Sequence, residues 1–98
     1  MSEFYIKSAE PVKTGESMNV IVSSFKGRSD VELVAEHDGI IIGRKMINLA
    51  IGETVTDLLI DKSDTARRII LKLYYRGFAT NYYEAEIAGH INNKINGG

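Results

Sequence analysis

The sequence predicts an all-β domain: about seven antiparallel strands in a two-sheet sandwich. Three observations predict it. Turn signals recur at the spacing of about 8–12 residues that separates the strands of sandwiches and barrels. They are Thr14-Gly15, Lys26-Gly27-Arg28-Ser29, Asp38-Gly39, Gly52, Asp61-Lys62-Ser63-Asp64, Arg76-Gly77 and Gly89. The runs between them are rich in β-branched and aromatic residues, and several alternate apolar with polar. Finally, 98 residues are enough for one hydrophobic core and too few for two.

Seven runs are expected to be strands: residues 4–6, 18–23, 31–36, 40–49, 54–60, 68–75 and 81–87. In the second, Met18, Val20 and Val22 share a face. In the third, Val31, Leu33 and Ala35 face one way, and Asp30, Glu32 and Glu36 the other. Asp38-Gly39 links the third run to the fourth. An Asp-Gly pair supplies the two positive φ angles of a type I′ hairpin. Counting outward from that turn sets Glu36 opposite Ile41 and Glu32 opposite Lys45. Gly43 interrupts the fourth run, which suggests a bulge or a close backbone approach. It does not suggest a phosphate loop, because no helix follows. Asp64-Thr65-Ala66-Arg67-Arg68 can form at most one turn of helix behind an Asp cap. In the sixth run Ile69, Leu71, Leu73 and Tyr75 face inward, and Arg68, Ile70, Lys72, Tyr74 and Arg76 outward. A hairpin through 76–80 leads to the seventh run and brings Glu84 and Glu86 near Lys72 and Arg68. The expected domain is single, structured over about residues 4–90, with a polar, frayed tail at 91–98.

Composition excludes several functions. Twelve basic residues nearly balance thirteen acidic ones, for a net charge of −1. No long-range field therefore draws in nucleic acid or an anionic membrane. The absence of cysteine removes disulfides, thiolate metal sites and a cysteine nucleophile. No apolar run approaches the ~18 residues of a membrane span.

No catalytic or ligand-binding signature can be assembled. His37 and His90 are the only histidines, and no G-x-S-x-G elbow is present, so no triad or zinc site forms. His37 reads as an exposed turn histidine. Asp61, Ser63 and Asp64 could give oxygens to calcium, which takes about six to eight, but they lack EF-hand spacing. The same residues can form a turn held by its own hydrogen bonds, and the sequence admits either. The interleaved basic and aromatic residues of Arg67–Gly77 could bind single-stranded nucleic acid, yet acidic neighbours can neutralise them as an ordinary strand. The aromatic residues read as core and rim. Tyr74, Tyr82 and Tyr83 cannot all be buried on one face, so one or two meet solvent or a neighbouring domain. No enzyme activity, cofactor or metal is expected.

One resemblance goes further. Gly39-Ile40-Ile41-Ile42 begins a strand after a turn. Ala66-Arg67-Arg68-Ile69-Ile70-Leu71-Lys72-Leu73-Tyr74-Tyr75 opens the long sixth strand and ends in paired tyrosines. In that order, the two resemble motifs of a macroglobulin-like domain, the fifth such domain of alpha-macroglobulin, complement and insect thioester proteins. The likeness covers most of residues 10–95. It implies an immunoglobulin- or fibronectin-III-like sandwich excised from a secreted protein of innate immunity. Such a domain would be monomeric when isolated and would contact neighbouring domains of its parent chain or another protein. Two departures stand out: Ala88 and Gly89 occupy the place where many relatives have a cysteine, and the thioester motif Gly-Cys-Gly-Glu-Gln is absent. The alternatives are a generic immunoglobulin-like adhesion module of a bacterial or phage surface protein, and a single-stranded nucleic-acid-binding barrel using Lys72 and Arg76.

Overall fold

A computed structural model describes residues 3–87. The expected tail at 91–98, and His90, lie outside them. Within them the chain is all-β, with two antiparallel sheets packed as a sandwich. The strands are β1 (Phe4–Ala9), β2 (Ser17–Ser24), β3 (Arg28–His37), β4 (Ile40–Leu49), β5 (Gly52–Leu59), β6 (Arg68–Tyr75) and β7 (Phe78–Glu86). One sheet has the order β1-β2-β5 and the other β4-β3-β6-β7.

Alternation decides which side chains meet between the sheets. Met18, Val20 and Val22 of β2, Val31, Leu33 and Ala35 of β3, and Ile69, Leu71 and Leu73 of β6 are all fully buried, as their spacing predicts. Phe4, Leu58, Ile60 and Ile87 complete the core. Val34 is buried as well, although it points to the outer face. Its cross-strand neighbours are Arg44 and Lys72, whose aliphatic stems can cover it.

Asp38 (φ 50°) and Gly39 (φ 78°) form the expected tight turn, with Glu36 opposite Ile41. Beyond it the expected register fails. Ala35 pairs with Gly43, which leaves Ile42 as an extra residue in a bulge. Glu32 therefore faces Met46 instead of Lys45, and Leu33 faces Lys45. Glu32 pairs with Arg44 at 2.9 Å. Lys45 turns toward the other sheet, where its Nζ donates to Asp57 Oδ1 (2.8 Å) and Asp57 O (3.0 Å).

Both anticipated roles of Gly43 are present. A Cβ there would lie 2.8 Å from Leu59 O. The Asp61 amide donates to Ile42 O beside it (2.7 Å). The β4 and β5 edges, one from each sheet, thus meet along a seam that these contacts and Lys45 close. An inward charge and a bulge on an edge strand also block pairing with a foreign strand. The other seam carries a parallel bridge between Val12 and Ile87.

Two other segments are settled here. Residues 64–68, allowed at most one turn of helix, form none. Ser63, rather than Asp64, caps this segment: its Oγ accepts from Thr65 N–H (3.3 Å) and Ala66 N–H (3.1 Å), and the buried Ala66 leads directly into β6. The β6–β7 link is shorter than the loop expected through residue 80. Arg76 (φ 52°) and Gly77 (φ 83°) make a two-residue turn, and Tyr75 pairs with Phe78.

Candidate interaction surface at the loop end

Strand direction sorts the loops. The β2–β3, β4–β5 and β6–β7 connections and the start of β1 lie at one end of the sandwich; the β1–β2, β3–β4 and β5–β6 connections lie at the other. At or beside each connection of the first end one large apolar side chain is exposed: Phe25 (66%), Ile51 (76%) and Phe78 (75%), the first residue of β7. Leaving all three in water at one end of the sandwich is less favourable than covering them.

Local chemistry holds the loops in place. Ser24, the one buried polar residue among those described, donates its hydroxyl to Lys26 O, which turns the chain after Phe25. The Phe25 amide donates to Glu3 O (2.9 Å) and ties this loop to the start of β1. The Ala50 amide donates to Thr54 Oγ1 (3.2 Å), and Gly52, at φ 98°, completes the bend that raises Ile51.

A stacked cluster lies beside the apolar tips. The Tyr75 ring packs edge-on against Phe4, with centroids 5.8 Å apart. Two guanidinium groups flank it, Arg28 at 5.6 Å and Arg76 at 5.2 Å from the ring centroid. Glu3 grips Arg28 with both oxygens (2.8 Å each) and meets Lys26 at 3.6 Å. Arg76 meets no carboxylate among the described residues. The Arg28 hydrogen bond holds the Glu3 carboxyl below its ordinary 4.5, and Glu3 in turn raises Arg28. At the β4–β5 seam, the Lys45 hydrogen bond likewise lowers Asp57 from 3.8.

These shifts set the expected acid response. A carboxylate depressed in the folded state adds stability above its unfolded value and loses it as pH falls through the folded one. Glu3 and Asp57 are both solvent-accessible, so the effect is small. The urea midpoint is expected to fall from about pH 4.5 downward. A Glu3→Gln, Asp57→Asn double variant should follow a flatter curve there; parallel curves would refute the assignment.

The residues singled out in the sequence are scattered. His37 is not an exposed turn residue but a half-buried one ending β3. Its Nδ1–H donates to Arg68 O across the sheet (3.1 Å), and Nε2 lies 3.4 Å from Asp38 Oδ2. The ring straps β3 to β6. Near it, at the second end, is an open groove of about 470 Å³ lined by His37, Asp38, Thr65, Arg67 and Ile70, among others. Ser63 uses its hydroxyl on its own turn and its carbonyl on the Thr14 hydroxyl (3.0 Å). No group of three His, Cys, Asp or Glu residues gathers as metal ligands among the described residues. Lys72 pairs with Glu36 of β3 (3.2 Å), and Arg68 stands opposite Glu86. Basic charge on the β6 face is thus matched locally. Of the three tyrosines, Tyr82 is exposed, Tyr83 packs against the core and Tyr74 is half-buried.

The apolar tips were not legible as a group, because Phe25 and Phe78 read as ordinary core or rim aromatics. Each tip does lie within two residues of a turn glycine, Gly27, Gly52 or Gly77. Among the described residues no helix is long and apolar enough to cross a membrane. Compared with known proteins, the chain matches no family model, no curated protein and no solved structure.

Proposed function

We propose that this chain is a non-catalytic structural and interaction module that docks another protein surface through its loop end. The observation that carries the reading is the display of Phe25, Ile51 and Phe78 at or beside three connections at one end. Interfaces concentrate large apolar and aromatic groups at their centre with arginine beside them, and that is the composition here.

The finer reading is a macroglobulin-like domain of a secreted, complement-like thioester protein. Its support is the order of the sequence motifs. The division of strands is compatible with it: first, second and fifth in one sheet and the rest in the other. The surface would then meet a neighbouring domain of the same chain. A generic immunoglobulin-like module of a bacterial or phage surface protein uses loop ends in the same way, so the loop display favours it equally. Coding sequence on either side distinguishes them: the macroglobulin reading requires adjoining sandwich domains and a downstream Gly-Cys-Gly-Glu-Gln.

The docking surface itself is tested by amide hydrogen exchange on the isolated chain and on its full parent polypeptide or complex. Residues 24–28, 50–53 and 75–79 are expected to gain protection in the larger assembly. Protection gained only elsewhere on the sandwich would refute the loop-end assignment.

A further inference from the structure

We infer that the loop end takes an acidic–apolar protein segment, one that seats a carboxylate on Arg76 while its apolar side chains cover Phe25, Ile51 and Phe78. This rests on the reading of that end as a docking surface and adds the chemistry of its partner.

Two independent observations carry it. The first is charge. Three cations, Lys26, Arg28 and Arg76, stand at this end, and the Glu3 carboxylate engages the first two. Arg76 is left with its guanidinium over Tyr75 and no acidic neighbour among the described residues. Of the other carboxylates, Glu53 pairs with Lys7 and Glu32 with Arg44. A guanidinium beside exposed apolar groups favours a carboxylate that can bind it with two hydrogen bonds.

The second is backbone conformation. Arg76 occupies the first position of its tight turn at φ 52°. That position favours Asn, Asp or Gly, and a β-carbon with a long side chain is disfavoured there. The hairpin at the opposite end has Asp38 in the equivalent place. An arginine held in an unfavourable conformation, with its head group fixed on an aromatic ring, is a preorganised cation. A single-stranded nucleic acid is the other polyanion an arginine–aromatic site can hold. It is disfavoured here because, among the described residues, the loop end adds to Arg76 only Lys26 and Arg28, both engaged by Glu3, on a chain of net charge −1, and this cannot track a run of phosphates.

The test uses nuclear magnetic resonance titration of the intact chain with three probes: a blocked pentapeptide alternating leucine and aspartate, its asparagine counterpart, and an oligothymidylate. The acidic peptide is expected to shift the amides of 25–28, 51–52 and 75–78. The neutral peptide should bind about tenfold more weakly. Arg76→Asn, which suits the turn better, should keep or raise the unfolding temperature and abolish the difference between peptides. Phe78→Ser should weaken both. Equal binding of the two peptides would overturn the charge inference while leaving the docking surface standing. No shift at the loop end with either peptide would overturn it too, and hydrogen exchange in the parent assembly then decides the docking surface separately. Tighter, salt-dependent binding of the oligothymidylate would replace it with a nucleic-acid interface.

Discussion

Gly43→Val is expected to destabilise the domain by about 2–3 kcal/mol. In a chain of this size that lowers the unfolding midpoint by on the order of 10–20 °C. A β-carbon at this position would sit 2.8 Å from Leu59 O and 3.4 Å from both Ala35 Cβ and Ile60 Cδ1. The nearest of these is backbone and cannot rotate away. Either the β4 and β5 edges separate, breaking the Asp61 N–H to Ile42 O bond and pulling Lys45 from Asp57, or the bulge at Ile42 is lost. Losing the bulge would turn the inner and outer sides of β4 over, because a shift of one residue exchanges the faces of a strand. Thermal unfolding followed by circular dichroism measures the effect, with the exposed Met46→Val on the same strand as a control expected to stay within about 0.5 kcal/mol. A Gly43→Val protein as stable as the control variant would mean that the seam is not a close contact.

Leu71→Ala should cost about 2–5 kcal/mol, a large part of the ~5–15 kcal/mol that holds such a domain together. Leu71 is fully buried at the centre of β6, between the flanking strands β3 and β7, where it faces Ala35 and Tyr83. Truncation removes apolar area and leaves a cavity that rigid strands cannot close. Leu59→Ala, on the exposed side of β5, removes the same atoms from a side chain already largely in water and should change little. Urea titration of both variants gives the comparison. Similar losses for the two would show that the strand faces are assigned the wrong way round.

The inward faces of β2, β3 and β6 were legible residue by residue, since alternation along a strand is a local property. The Asp38-Gly39 turn was legible too, because its two positive φ angles call for that residue pair. The Arg76-Gly77 turn has the same geometry, but the sequence there predicts a longer loop, because arginine is not a residue that signals such a turn. The Glu32–Lys45 pairing failed for a different reason. Register counted from a turn holds only until a bulge, and the bulge at Ile42 depends on how closely β5 approaches Gly43. The loop-end surface was the least visible. Phe25, Ile51 and Phe78 are separated by 26 and 27 residues in the chain, and no local pattern relates them.

An all-β sandwich, the buried aliphatic rows and the position of most turns follow from residue order alone, because pleat and turn preferences act between near neighbours. The bulge, the closed β4–β5 seam, the half-buried strap made by His37 and the display of three apolar tips at the same end as Arg76 depend on how the two sheets pack. That packing brings together residues distant in the chain, and their proximity is a property of the folded molecule.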